Sequence, residues 1–127
     1  MSDQLKALDV LKTLQSYGYK EREIKFGDVK LVLAPLTAIE VVDIFEISNK
    51  YDDADASTNM LKIHTVARSI ISINDVKLNP KGMLDDKLNI VSSFGAEVVD
   101  YLFNEYCILD KVIKASVDKR EYGEKKE

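Results

Sequence analysis

The hydrophobic period of this sequence changes at Glu23, where apolar and polar residues begin to alternate. The alternation runs from Ile24 to Leu33, is interrupted by Gly27-Asp28, and is followed by Pro35. This pattern predicts a β-hairpin with a tight two-residue turn, and proline ends the second strand because it cannot donate to a strand ladder. An isolated hairpin is only marginally stable in water. The rest of the chain must therefore supply helices that cover the apolar side chains of the hairpin.

The first of these helices has the strongest local signal in the sequence, the run Leu36-Thr37-Ala38-Ile39-Glu40-Val41. Thr37 can cap the helix, Glu40 can reach back to the Thr37 backbone, and the flanking apolar pair can form a hydrophobic staple. A helix is expected from Ala38 to about Asn49. Its predicted buried residues are Ile39, Val42 and Phe45, with Val41 and Ile44 beside them.

Four further helices are predicted from apolar spacing and end signals. They are residues 2–17, stopped by Gly18, then 58–71 with Ser57 as its cap, 83–92, and 96–118 as the longest. Residues 51–56 form an acidic loop in this prediction. Around Asn74-Asp75 the flanking apolar residues fit either a second small hairpin or a simple turn.

These elements predict a mainly α fold with a small β-hairpin, an α+β domain of about four to five helices. Residues 1–18 form an N-terminal helix or arm that docks only with a partner. Residues 19–118 form the single domain, since 127 residues with 46% apolar content suffice for one core. Residues 119–127 are predicted to be a disordered charged tail.

Composition excludes several classes of protein. The net charge of −4 argues against nucleic-acid binding, which needs a clustered positive surface. No window has the roughly 20 uncharged apolar residues of a membrane span, and the first residues do not resemble a secretory signal. We therefore expect a soluble cytosolic protein without a membrane contact.

Motifs for catalysis or for metals are weak. His64 and Cys107 are the single histidine and cysteine, so they cannot form a structural zinc site. A hydrolase using both residues stays open, although neither lies in a glycine-rich turn. The acidic run Asp52, Asp53 and Asp55 lacks the glycine and glutamate that a calcium loop requires. We expect no enzyme activity, no metal and no cofactor.

The last predicted helix carries an apolar face that extends into the charged C-terminal third. That face is either core or, toward its end, a surface that binds an amphipathic helix from a partner or from a second copy of the chain. The residues predicted to bind the partner are Tyr106, Leu109, Ile113 and Val117.

The order of these elements resembles the tail assembly chaperones and baseplate assembly proteins of tailed bacteriophages. The resemblance spans about Ile24 to Val117. It rests on the cap motif Leu36-Thr37-Ala38-Ile39-Glu40, on Val66-Ala67-Arg68-Ser69-Ile70-Ile71-Ser72-Ile73-Asn74-Asp75, and on Val99-Asp100-Tyr101-Leu102-Phe103-Asn104-Glu105-Tyr106. Such proteins often have glycine where this chain has Asp75.

The resemblance implies a non-enzymatic protein of the host cell cytoplasm. It would bind the tape-measure protein or a hub component of the phage tail and shield apolar helices during tail assembly. The alternative that the resemblance leaves open is a structural baseplate or hub subunit retained in the virion.

Overall fold

The computed structural model describes residues 2–78 and 82–123. Within them lie five α-helices and a four-stranded antiparallel sheet, which confirms the predicted α+β class. The helices are α1 (Ser2–Lys12), α2 (Ala38–Ser48), α3 (Ala54–Ser69), α4 (Leu84–Ser92) and α5 (Ala96–Asp118). The strands are β1 (Arg22–Phe26), β2 (Val29–Leu33), β3 (Ile70–Ile73) and β4 (Val76–Lys77).

The sheet contains more than the β1–β2 hairpin that the alternation predicted. Its strand order is β1-β2-β3-β4, so β3 pairs with β2 across the sheet. Asn74 and Asp75 both have positive φ, which is the backbone of a tight hairpin turn. Asn74 also joins the hairpins, because its N–H donates to the Lys30 carbonyl at 2.8 Å and its Oδ1 accepts from the Lys30 N–H. The second hairpin is therefore formed, and the simple-turn alternative is wrong.

The core lies between one face of this sheet and helices α3, α4 and α5. The fully enclosed side chains come from the second strand, the end of α3 and the first third of α5, which brings three distant sequence segments together. Its buried apolar members are Ile24, Leu31, Leu33, Val66, Ala67, Ile70, Val91, Val99, Leu102 and Leu109.

The capping box at Thr37 is present as predicted. Thr37 Oγ1 accepts from the Glu40 N–H at 3.3 Å, and the Glu40 carboxylate accepts from the Thr37 N–H at 3.0 Å. The start predicted for α3 was wrong by four residues. Asp53 caps this helix by accepting from the Asp55 N–H at 2.9 Å, so part of the expected acidic loop forms its first turn.

The predicted inward face of α2 was also wrong. Ile44 and Ser48, four residues apart, are the buried positions, and α2 packs on α3. Ile39, Val42 and Phe45 are 65%, 48% and 51% exposed, respectively. Seven of the eleven α2 residues are apolar, so hydrophobic spacing alone could not decide which side faces the core.

The two ends of the described chain meet each other. Helix α1 buries none of its residues, as expected for an arm. The segment after α5 returns to the base of that arm, where the Gly18 N–H donates to Glu121 and the Gly123 N–H donates to Ser16. Residues 119–123 are thus attached to the domain, against the prediction of a disordered tail. Residues 124–127 lie outside the described residues.

Candidate protein-binding surface

The four residues predicted to bind a partner fall in different environments along α5. Leu109 is 3% exposed and belongs to the core, so a partner could not reach it on this monomer. Ile113 is partly buried against that core. Val117 is 47% exposed near the end of α5. The predicted face is thus core at its centre and surface at its end.

Tyr106 lies at the boundary between core and surface. Its hydroxyl accepts a hydrogen bond from the Leu36 N–H at 3.3 Å, which ties α5 to the residue before the α2 cap. Burial, as the main cause, raises the pKa of the Tyr106 hydroxyl above its ordinary value. The ring also lines an apolar groove beside α2. Tyr106 is therefore the predicted residue that the structure places closest to an open apolar surface on α2.

We call this depression the α2 groove. It is a cavity of about 220 Å³ between α2, α3 and α5, open to solvent. Its lining residues are Leu36, Val41, Ile44, Phe45, Leu61, Thr65, Phe103, Tyr106, Cys107 and Asp110. Most of these side chains are apolar, so the groove offers a surface that water solvates poorly.

The exposed side of α2 continues the apolar surface beyond the groove. We call Ile39, Val42 and Phe45 the α2 face. Their spacing of three residues places them along one side of the helix, and Phe45 also lines the groove. Sequence analysis identified all three residues but assigned them to the core.

Acidic residues lie next to the α2 face, since Asp43 and Glu46 follow Ile39 and Val42 by four residues. Between residues 37 and 57 the chain has six acidic residues against Lys50 alone, a net charge of −5. The whole chain carries −4, so all the remaining residues together amount to +1. The negative charge of the protein is therefore concentrated on α2 and the first turn of α3. This uneven distribution can be read from the sequence and is the signal that our sequence analysis missed.

Only some of these carboxylates are neutralised. Asp43 approaches Arg68 at 4.0 Å, and Asp110, across the groove, pairs with Lys114 at 3.1 Å. Glu46 and Asp52 make no ion pair within residues 2–78 and 82–123. Glu46 therefore leaves an unneutralised negative charge beside the α2 face.

A second apolar cavity, which we call the sheet cleft, lies between the sheet and helices α4 and α5. It measures about 250 Å³ and is bordered by the hairpin ends, α4 and α5. Buried Lys87 lines it and donates from Nζ to the Ile70 carbonyl at 2.9 Å. Burial is the main cause that lowers the pKa of the Lys87 ammonium. The ammonium anchors α4 to the start of β3, a role that sequence spacing did not indicate.

The two residues considered for hydrolysis lie on different helices, His64 on α3 and Cys107 on α5. His64 is buried on α3, and burial followed by the nearby Arg68 charge lowers its pKa. Cys107 lines the α2 groove, whose α3 wall is formed by Leu61 and Thr65. Within the described part of the chain, no cluster of three histidine, cysteine or acidic side chains could hold a metal ion. Asp53, once considered for calcium, caps a helix instead.

Comparisons with known proteins add no relative. No protein-family model matches the sequence, no curated protein matches it, and no solved structure matches the fold. Among the helices of residues 2–78 and 82–123, none combines the length and the apolar content needed to cross a membrane. The apolar surfaces described above therefore carry the functional argument.

Proposed function

We propose that this protein is a tail assembly chaperone of a tailed bacteriophage, which binds apolar segments of another tail polypeptide and keeps them soluble during assembly. The observation that carries the proposal is the α2 face, three large apolar side chains exposed beside an open apolar groove. The proposed role requires binding and release but no chemical step.

Helix α2 has more apolar surface than the fold covers. A helix that is apolar on all sides is normally buried, because each exposed apolar side chain loses the free energy of leaving water. In this chain α2 is apolar on two opposite sides and only one of them is covered. A binding partner would cover the other side. Contiguous apolar patches with a polar rim commonly mark such interaction sites.

The resemblance to phage tail assembly proteins supplies the proposed setting. The proposed client is the tape-measure protein or a hub component, and the proposed location is the host cell cytoplasm. The alternative, a structural baseplate subunit, would use the same apolar surface but would keep its partner permanently. The modest size of the groove favours the chaperone, since contacts that assembly must displace should be weak individually.

A client assay tests the proposal. An aggregation-prone fragment of the tape-measure protein is mixed with the wild-type chain, and light scattering is followed. We expect the wild type to suppress scattering and the double variant Val42→Ser, Phe45→Ser to lose most of that effect. Ile90→Ser removes a comparably exposed apolar side chain, on the rim of the sheet cleft, and serves as the matched control. Equal suppression by the folded double variant would contradict the proposal.

Mass spectrometry of purified virions separates the chaperone from the structural subunit. A chaperone should be absent from finished particles or present in traces. Peptides in stoichiometric amount with baseplate proteins would favour the structural alternative.

A further inference from the structure

We propose that the α2 groove accepts an amphipathic α-helix whose apolar side is flanked by lysine or arginine. This inference rests on the proposed function, and it specifies the chemistry of the bound segment. Two independent features carry it: the walls of the groove are helices, and carboxylates lie on both sides of the surface formed by the groove and the adjoining α2 face.

The helical walls favour a helical occupant over an extended one. The groove is bordered by α2, α3 and α5, whose backbone groups are engaged within their own helices. An extended peptide would find no strand edge there and would leave its own N–H and C=O groups unpaired against apolar side chains. A helix satisfies its own backbone and presents apolar side chains at spacings of three and four residues. Helix-in-groove binding is therefore the mode that these walls allow at least cost.

The rim specifies the charge of the occupant. Residues 37–57 carry a net charge of −5, and Glu46 on α2 has no ion-pair partner within the described residues. Asp110 lines the groove from the α5 side and is paired there with the exposed Lys114 at 3.1 Å. A lysine or arginine beside the apolar stripe of a bound helix can lay its aliphatic stem on the groove and extend its charge to this rim. An acidic helix would instead meet charge repulsion on both sides.

The N-terminal helix of a second copy is a weaker candidate for the same groove. Helix α1 has an exposed apolar stripe, but it carries two acidic and two basic residues and is neutral. One of those pairs, Asp9 and Lys12, is already matched within α1 at 3.6 Å. Charge complementarity therefore favours a basic helix of a different polypeptide.

Three synthetic peptides of about five helical turns, roughly 18 residues, test the inference. All share one apolar stripe. The first has lysine flanks, the second has glutamate flanks, and the third has lysine flanks with two interior prolines that prevent a helix. Fluorescence anisotropy measures each Kd with the wild-type chain, with Phe45→Ser, and with Glu46→Lys. Glu121→Lys makes the same charge change on an exposed residue outside the acidic segment and is the matched control.

We expect the lysine-flanked helix to bind on the order of tenfold more tightly than either of the other peptides. Phe45→Ser and Glu46→Lys should each weaken that binding, and Glu121→Lys should not. Rising salt should reduce the difference between the lysine and glutamate peptides, because rim charges are screened.

Several results would overturn the inference. Equal binding of the lysine-flanked and glutamate-flanked helices would show that the flanking charge does not matter. Equal binding of the proline peptide would show that the occupant need not be a helix. If the peptides bound equally and Phe45→Ser abolished their binding, the groove would still bind apolar segments, and the proposed function would stand. Failure of every peptide would also overturn the inference, and the scattering assay would then decide the proposed function separately. A wild-type dimer that Phe45→Ser dissociates in sedimentation would make a second copy the occupant and overturn the inference.

Discussion

Two alanine substitutions on α2 test directly which side of this helix is buried. Ile44 is 3% exposed and Val42 is 48% exposed, although the residues are only two positions apart. Truncating a buried isoleucine removes its transfer free energy and leaves a cavity, at a cost of about 2–5 kcal/mol. We therefore expect Ile44→Ala to lower the free energy of unfolding by an amount in this range.

Val42→Ala should cost far less. Full burial of a side chain of this kind contributes about 1.5–3 kcal/mol, and roughly half of that, about 1 kcal/mol, is at stake for a half-exposed valine. Alanine has the higher helix propensity, which returns up to about 0.7 kcal/mol. The expected net loss for Val42→Ala is below about 1 kcal/mol.

Urea unfolding followed by far-ultraviolet circular dichroism measures both variants. With a urea slope of about 1–3 kcal/mol per molar, a difference of about 2 kcal/mol separates the midpoints by roughly 1 M. Equal losses in the two variants, or a larger loss for Val42→Ala, would contradict the assignment of Ile44 to the buried side and Val42 to the exposed side of α2, and would refute the reasoning behind the binding surface.

Three further substitutions test other parts of the fold. Thr37→Ala removes the side-chain half of the capping box and should cost about 1 kcal/mol in urea unfolding without changing client binding; no loss would contradict the cap. The native pKa of Lys87 is lowered, so between that pKa and the ordinary value near 10.5 the unfolded chain binds more protons and stability rises with pH. Lys87→Met should abolish this rise, and an unchanged pH slope would refute the assignment. Gly18 has φ of +72° and its missing Cβ would meet the Val117 side chain, so Gly18→Ala should cost at least about 1 kcal/mol and speed hydrogen exchange in residues 119–123. Unchanged exchange there would show that the C-terminal segment is not attached.

Sequence reasoning succeeded where one local signal determined one structure. The capping box at Thr37 needs only neighbouring residues, and it is present. Helix α5 has one apolar stripe, and its predicted bounds of 96–118 are those of the structure. The β1–β2 hairpin follows from alternation and from Gly27, whose φ of +63° suits the turn.

Sequence reasoning failed where the structure depends on contacts between distant parts of the chain. The two apolar sides of α2 are equivalent in the sequence, and only the packing of α3 decides that Ile44 is inside. The pairing of β3 with β2 joins segments about 40 residues apart, which no local pattern reports. Lys87 is buried because the Ile70 carbonyl lies within reach of its ammonium, and this proximity exists only in the fold.

The candidate site, too, was predicted only in part. Tyr106 was predicted from the apolar face of the last helix and lines the α2 groove, whereas Leu109 on the same face lies in the core. The α2 face was missed as a surface because large apolar residues are normally assigned to a core. The acidic residues beside the α2 face can be read from the sequence as a local net charge. They indicate a binding surface only once the apolar residues between them are known to be exposed.

A photo-reactive amino acid in place of Val42, introduced while phage tails assemble in the host cell, tests the central claim most directly. The account predicts a light-dependent covalent adduct with another tail polypeptide, which disappears as tails are completed. The same group in place of Ile90 should give no such adduct. Absence of any adduct from position 42, or adducts only with further copies of this chain, would contradict the claim that α2 covers an apolar segment of a different protein.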